Sequence, residues 1–287
     1  MATRLSQPQP HAKKQNSGLA ITIGVLGVLL FCIPILIGLY TDFLWFGELD
    51  FRGVFNRVIV ARVVLFVIFA AVGALITYLA AWLAWRGRTK EALSFEAVVG
   101  DTRTQVNLQQ GVRTLLVWVP VVIAVFSGLA GQRLWRTFML WFNGESFGVN
   151  DPQFGKDLGF YAFALPGITA IIDGLSLLLL VAFIVGAVGH YLLGGIRIGN
   201  KVSGVPGHIS TSARVQLAVT AGLWMVLKAV SYWLERYTLL YSQNDIFTGA
   251  SYTTVNASLP AKVILTVIAV LVAAAFFASV VYKDFRV

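Results

Sequence analysis

Three ionisable residues lie inside long apolar stretches of this sequence, where an ionised side chain is costly and therefore informative. Asp173 and His190 belong to one stretch and Lys228 to the next. Helical geometry places Asp173 and Lys228 at similar depths, roughly 7–9 Å inside the ends that would face the same side. Ionisable groups at such a depth are candidates for an ion, proton or substrate pathway.

Two interpretations of Asp173 and Lys228 remain open. They could form an ion pair, which would lower the cost of each charge in an apolar medium. Alternatively, Lys228 extends its ammonium group to the interface while Asp173 faces a polar crevice or caps a helix. His190 is best interpreted as a polar residue that makes hydrogen bonds near a helix end.

Motifs that would identify an enzyme or a metal protein are absent from the sequence. The three histidines, His11, His190 and His208, are too scattered to form a metal site, and Asp173 is the only carboxylate within the apolar stretches. Neither H-E-x-x-H, G-x-S-x-G nor a Walker motif occurs. We therefore predict no metal, no cofactor and no enzymatic activity.

Six apolar stretches must position these residues. A bilayer core of roughly 30 Å requires about 20 apolar residues in a helix, and each stretch approaches that length. The chain is 57% hydrophobic and 12% charged, whereas soluble domains carry about 25% charged residues. We predict an all-α, polytopic membrane protein with transmembrane helices near 19–40, 63–85, 112–130, 167–192, 215–233 and 263–282.

The distribution of lysine and arginine indicates the orientation of these helices. Segments 1–17, 86–111, 193–214 and 283–287 together hold more of them than the other connections, which favours a cytoplasmic location for these four. Both termini are then cytoplasmic in the plasma membrane, and the helices form three outward-opening hairpins. We predict a disordered leader over 1–17 and a transmembrane domain over 18–287. The excess positive charge is expected to contact membrane lipids rather than nucleic acid.

The longest predicted outer connection, 131–166, contains two local patterns. Its first part gathers aromatic residues near one helical face, which predicts an interfacial helix near 132–143. Its second part, DPQFGKDLGFYAFALP, combines turn-forming residues with an aromatic run, which predicts an ordered cap over the helix ends. The candidate cap residues are Asp151, Pro152, Gly155, Lys156, Asp157 and Gly159.

Several sequence motifs together resemble a known family. These are DFLWFG at 42–47, the cap sequence at 151–166, LKAVSYWLERYTLLYS at 227–242 and FTGASYTTVNASLPAK at 247–262. They resemble uncharacterised protein family 0182, a group of bacterial integral membrane proteins found mainly in actinobacteria. The resemblance implies an N-terminal multi-helix membrane region followed by a large extracytoplasmic portion, which would lie beyond the present chain. The family has no established activity, so no catalytic residue follows from it.

Three functional hypotheses follow from these observations. The favoured one is a membrane module that anchors or organises an extracytoplasmic domain or partner in the cell envelope. The alternative is part of a transporter or lipid-handling machine, with Asp173 and Lys228 near its pathway. An intramembrane enzyme is the third hypothesis, which would require a second carboxylate or histidine beside Asp173.

Overall fold

The computed structural model describes residues 17–88, 95–99, 102–106, 108–197, 207–242 and 248–282. Helices dominate these residues, as predicted. The α-helices are α1 (Ser17–Glu48), α2 (Arg52–Arg86), α3 (Leu108–Arg133), α4 (Trp135–Phe142), α5 (Leu165–Leu192), α6 (Thr211–Thr238) and α7 (Leu259–Val281).

Five helical segments of the described chain are long and apolar enough to cross a membrane. They are Arg52–Arg86, Gly111–Arg133, Phe160–Leu192, Thr211–Tyr241 and Thr254–Val281. These segments coincide with the last five predicted spans, and the first predicted span lies within α1. The arrangement of six helices as three hairpins is not confirmed. Of the predicted leader, 1–16 lies outside the described residues, and Ser17 begins α1.

Several helical segments extend beyond the predicted spans. A π-helical turn, Phe160–Ala164, precedes α5, another, Thr254–Ser258, precedes α7, and a 3₁₀ turn, Leu239–Tyr241, follows α6. Hydropathy locates only the apolar part of a helix, whereas backbone hydrogen bonds continue through polar and aromatic residues. Pro166 and Pro260 occupy the second positions of α5 and α7, directly after the two π-helical turns.

Two short antiparallel ribbons modify the all-α prediction. One pairs β1 (Phe95–Val99) with β2 (Thr102–Val106), and the other pairs β3 (Ile196–Arg197) with β4 (His208–Ile209). Both lie in connections between long helices. The second ribbon leads directly into α6, where the Ser210 hydroxyl accepts a hydrogen bond from the Ala213 N–H at 3.3 Å and caps the helix.

The predicted interfacial helix near 132–143 is divided in the structure. Residue 134 interrupts the helical path, so that α3 ends at Arg133 and α4 begins at Trp135. The buried Phe138 contacts Phe69 of α2 edge to face, with ring centroids 6.0 Å apart. Trp141 lies against Gly167 of α5, where an added Cβ would come within 2.3 Å of the indole. The aromatic face of α4 therefore packs onto α2 and α5.

The chain divides into two compact units, residues 1–59 and 60–287. Within the first, Phe55 contacts the rings of Phe43 and Phe46. Within the second, α6 packs against both α5 and α7. The buried core of the second unit lies near the start of α3 and the end of α5, and comprises Ala81, Ala84, Val112, Leu116 and Leu193.

Candidate functional site

Residues 144–159, between α4 and the π-helical turn that precedes α5, are called the capping loop below. Asp151 lies at its centre and is only 7% exposed. Its carboxylate accepts hydrogen bonds from the Tyr161 hydroxyl and three backbone N–H groups, all within 2.7–2.9 Å. The backbone donors belong to Gln153, Phe154 and Lys156. The predicted cap residue Lys156 also accepts a hydrogen bond from the Asp151 N–H at 2.9 Å.

Asp157 organises the other half of the capping loop. Its carboxylate accepts a hydrogen bond from the Ser146 hydroxyl at 2.7 Å and three more from backbone N–H groups. Those donors belong to Phe147, Gly148 and Gly159. An alanine Cβ at Gly159 would lie 2.5 Å from the Glu145 carbonyl oxygen. Glycine is therefore required at this position.

These hydrogen bonds determine how the two carboxylates ionise. Burial acts to raise the pKa of Asp151, but the hydrogen bonds from Tyr161 and the backbone outweigh it and hold the pKa below its ordinary value of 3.8. The Ser146 hydroxyl is the largest influence on the pKa of Asp157, and with the backbone N–H groups it lowers that pKa despite an opposing effect of burial. Both carboxylates are consequently ionised and fully engaged at neutral pH.

Aromatic contacts attach the capping loop to the C-terminal end of α6. The Tyr237 ring lies 4.9 Å from that of Phe154 and 5.4 Å from that of Phe160. Beside them, the Arg236 guanidinium lies 3.3 Å from the Trp233 ring centroid and donates from Nε to the Trp233 carbonyl at 3.2 Å. The loop is therefore bonded internally and packed onto a long helix.

Asp173 and Lys228 lie at similar levels but form no ion pair in the described part of the chain. Contacts between His190 and Gln216 at one end, and Tyr161 and Tyr241 at the other, show that α5 and α6 run antiparallel in this register.

The faces of the two helices explain why the pair does not form. Asp173 is exposed, whereas its neighbour Gly174 faces the Phe69 ring of α2 and Ser176 is buried. The Lys228 ammonium lies 6.0 Å from the Trp224 ring centroid on its own helix. Equal depth was predictable from the sequence, but the relative rotation of the helices was not.

Glu235 of α6 and Lys262 of α7 form an ion pair that the sequence analysis missed. The Glu235 carboxylate also accepts a hydrogen bond from Ser231 at 3.2 Å, and the Lys262 ammonium lies 5.5 Å from the Tyr232 ring centroid. Both residues were assigned to a predicted loop because one apolar stretch ends at 233 and the next begins at 263. Since α6 and α7 extend past the apolar stretches, the same depth argument applied to the longer helices would have found this pair.

His190 joins three helices through a buried amide. Its Nε2 lies 2.9 Å from Gln216 Oε1, and Gln216 Nε2 donates to the Ala80 carbonyl at 2.9 Å. Because the Gln216 amide donates to a carbonyl, its oxygen is left to accept, which assigns the proton of a neutral His190 to Nε2. The His190 side chain is fully buried. His190 and Gln216 therefore connect α2, α5 and α6 through hydrogen bonds.

The sequence matches a family described as Uncharacterised protein family (UPF0182) over residues 19–287. The chain belongs to this family. A UPF0182 protein of Corynebacterium glutamicum strain R is 47% identical over 287 residues, and another from Corynebacterium diphtheriae is also 47% identical over 287 residues. A Rhodococcus erythropolis relative is 43% identical over 284 residues. No solved structure gives a significant match.

The UPF0182 chain spans less than a third of the length of these relatives. The two Corynebacterium alignments cover 100% of the chain and 29% of each relative, and the Rhodococcus alignment covers 97% and 28%. Among the described residues of the UPF0182 chain, no group of three His, Cys, Asp or Glu side chains is placed to hold a metal ion. The arrangement around Asp151 and Asp157 fixes the backbone of a loop, and both carboxylates are occupied in doing so.

Proposed function

We propose that this UPF0182 chain is a membrane module that anchors or organises an extracytoplasmic domain or partner in the cell envelope. The observation that carries the proposal is the capping loop, whose two carboxylates bind its own backbone and whose aromatic residues pack on α6. A loop bonded in this way presents a fixed surface at the end of membrane-spanning helices. The relatives have more than two thirds of their length outside the matched region, which supplies a candidate for the anchored portion.

The proposed module lies in the plasma membrane with both termini in the cytoplasm, and the capping loop faces outward. The role is non-catalytic, because the carboxylates of the capping loop are engaged as hydrogen-bond acceptors. The pathway alternative is less well supported. Three grooves on the second unit are lined by residues other than Asp173 and Lys228.

Water accessibility at Asp173 distinguishes anchoring from transport. Asp173→Cys would be introduced in a Cys32→Ala background and treated with a membrane-impermeant thiol reagent in native membranes. The matched control is Leu177→Cys, one turn deeper in α5 and also exposed on the helix surface. Equal protection at both positions is expected for an anchoring module. Labelling at 173 with protection at 177 would indicate an aqueous crevice and favour transport.

A further inference from the structure

Two arginines lie over one tryptophan, and a third lines the cavity beside it, at the end that α2 and α3 share. The Arg62 guanidinium of α2 lies 5.4 Å from the Trp135 ring centroid, and that of Arg136 lies 5.6 Å from it. Arg62 and Trp135 line a cavity of about 340 Å³ together with Gln132 and Arg133. This cluster is called the three-arginine pocket below.

Close packing of α2 against α3 assembles the pocket. An added Cβ at Gly131 would lie 2.3 Å from the Phe69 ring, and one at Gly128 would lie 2.7 Å from the Phe66 ring. These contacts require glycine on α3 and allow the two helices to approach closely. Arg62 is one turn before Phe66 on α2, so the same packing brings it beside the start of α4.

The charge of the pocket is not balanced by the protein. Within the ranges that the structure describes, none of the guanidinium groups of Arg62, Arg133 and Arg136 has an ion-pair partner or a protein hydrogen-bond acceptor. Each carries five N–H donors. Stacking on Trp135 orients two of the three planar groups without using those donors. Arg62 and Arg133 line the cavity without a carboxylate, and Arg136 shares the Trp135 ring with Arg62. This arrangement fits an external anion.

We infer that the three-arginine pocket binds the phosphate group of an anionic phospholipid. Guanidinium groups bind phosphate oxygens through paired hydrogen bonds. Two of them line the cavity, and that of Arg136 lies over Trp135 beside it. A tryptophan beside the pocket suits the headgroup level of a bilayer. The pocket adjoins α4, whose Leu140 and Phe142 side chains are exposed and apolar. A lipid supplies both the phosphate and the acyl surface that these side chains require, whereas a soluble phosphate supplies only the first.

Lipid retention by the purified full chain tests this inference. The protein in neutral detergent would be mixed with phosphatidylglycerol or phosphatidylcholine, and bound lipid would be counted by native mass spectrometry. We expect at least about tenfold preference for phosphatidylglycerol in the wild-type protein, from three cationic contacts. The preference should disappear in the combined variant Arg62→Gln, Arg133→Gln and Arg136→Gln. Equal retention of the two lipids by the wild-type protein would overturn the inference.

A matched variant separates the pocket from overall charge. Arg86, Arg88 and Arg113 are also exposed, and the first two lie over Trp82 and Trp85 at 5.3 and 4.6 Å. Replacing these three by glutamine removes the same charge from the opposite ends of α2 and α3. We expect this variant to keep its preference for phosphatidylglycerol. If this variant loses as much of the preference for phosphatidylglycerol as the pocket variant does, the pocket has no specific role in lipid binding.

Two further measurements keep the test decisive. If the glutamine variant of the pocket fails to fold, a variant with lysine at the same three positions would be tested instead. Lysine retains the charge but lacks the planar guanidinium group, so the preference for phosphatidylglycerol over phosphatidylcholine should fall several-fold. An unchanged preference in that folded variant would contradict phosphate binding by the guanidinium groups.

Glycerol 3-phosphate added in large excess should not displace phosphatidylglycerol. Displacement at low concentration would show that the pocket accepts a soluble phosphate and would overturn the lipid assignment.

Discussion

The three-arginine pocket includes the start of α4, and the capping loop follows its end. The charged groups of the two regions differ in whether the protein itself supplies their partners. In the loop, Asp151 and Asp157 each accept four hydrogen bonds from the protein itself. In the pocket, the guanidinium groups of Arg62 and Arg136 lie over an indole ring, and none of the three arginines has an acceptor within the described chain. Charge that is satisfied internally stabilises the fold, whereas charge left unsatisfied is available to something outside it. Substitutions in the loop should therefore reduce stability, and substitutions in the pocket should not.

The largest effect on the free energy of unfolding is expected from Asp151→Asn. The neutral amide of asparagine accepts these four hydrogen bonds more weakly than the buried carboxylate does. Its NH₂ group would also face backbone N–H groups, which are donors and cannot accept a hydrogen bond from it. We expect a loss of roughly 2–4 kcal/mol in the free energy of unfolding at pH 7, measured by denaturation in detergent. Asp42→Asn, at an exposed aspartate outside this network, should change the free energy of unfolding by less than about 0.5 kcal/mol.

The effect of Asp151→Asn should also depend on pH. The pKa of Asp151 is lowered in the folded state, so its stabilising contribution is complete above the pKa of the unfolded chain and is lost as pH falls through the folded pKa. The difference between wild type and variant should stay constant above about pH 5 and narrow below about pH 4. A difference that widened on acidification would contradict the hydrogen-bonded geometry.

A smaller loss is expected from Tyr161→Phe. This change removes one of the four donors to Asp151 while the backbone N–H groups and the aromatic contacts remain. We expect a loss of about 1.5 kcal/mol in the free energy of unfolding. Tyr237→Phe is the matched control, because Tyr237 contributes ring contacts to the same cluster. Equal losses for the two variants would mean that the Tyr161 hydroxyl contributes nothing specific.

Two double-mutant cycles compare the observed ion pair with the candidate pair of Asp173 and Lys228. Glu235→Gln and Lys262→Met should be coupled by about 0.5–1 kcal/mol, because both side chains are partly exposed. Asp173→Asn and Lys228→Met should be additive within about 0.5 kcal/mol. Coupling between Asp173 and Lys228 above that value, measured by the same unfolding assay, would favour the ion-pair interpretation that the sequence left open.

The smallest effect on stability is expected in the three-arginine pocket. Arg62→Gln, Arg133→Gln and Arg136→Gln should each change the free energy of unfolding by less than about 0.5 kcal/mol in lipid-free detergent, because no internal hydrogen bond is lost. A loss above about 1 kcal/mol for any of them would mean that the fold itself uses the charge, and the contrast with the capping loop would fail.

Composition and length were sufficient to predict helices that are long and apolar enough to cross a membrane, because a bilayer sets both requirements. They were not sufficient to predict helix ends, because α6 continues to Thr238 through two charged residues, Glu235 and Arg236, that follow its apolar part. The ion pair between Glu235 and Lys262 was missed for that reason.

The candidate site was only partly predictable from local sequence. Asp-Pro and the spaced glycines indicate a turn-rich segment, but nothing in their spacing specifies that each carboxylate collects three backbone N–H groups. The partnership of His190 with Gln216 and Ala80 joins residues distant in sequence. Asp173 and Lys228 show the same limit, because depth follows from counting residues whereas rotation depends on packing.

The side of the membrane on which the capping loop lies tests the anchoring proposal most directly. Single cysteines at Glu145, in the exposed part of the loop, and at His208, before α6, would be introduced in a Cys32→Ala background. Intact cells would then be treated with a membrane-impermeant thiol reagent. The proposal predicts labelling of Glu145→Cys in intact cells and of His208→Cys only after permeabilisation. The reverse pattern would place the capping loop in the cytoplasm and contradict a role in anchoring an extracytoplasmic portion.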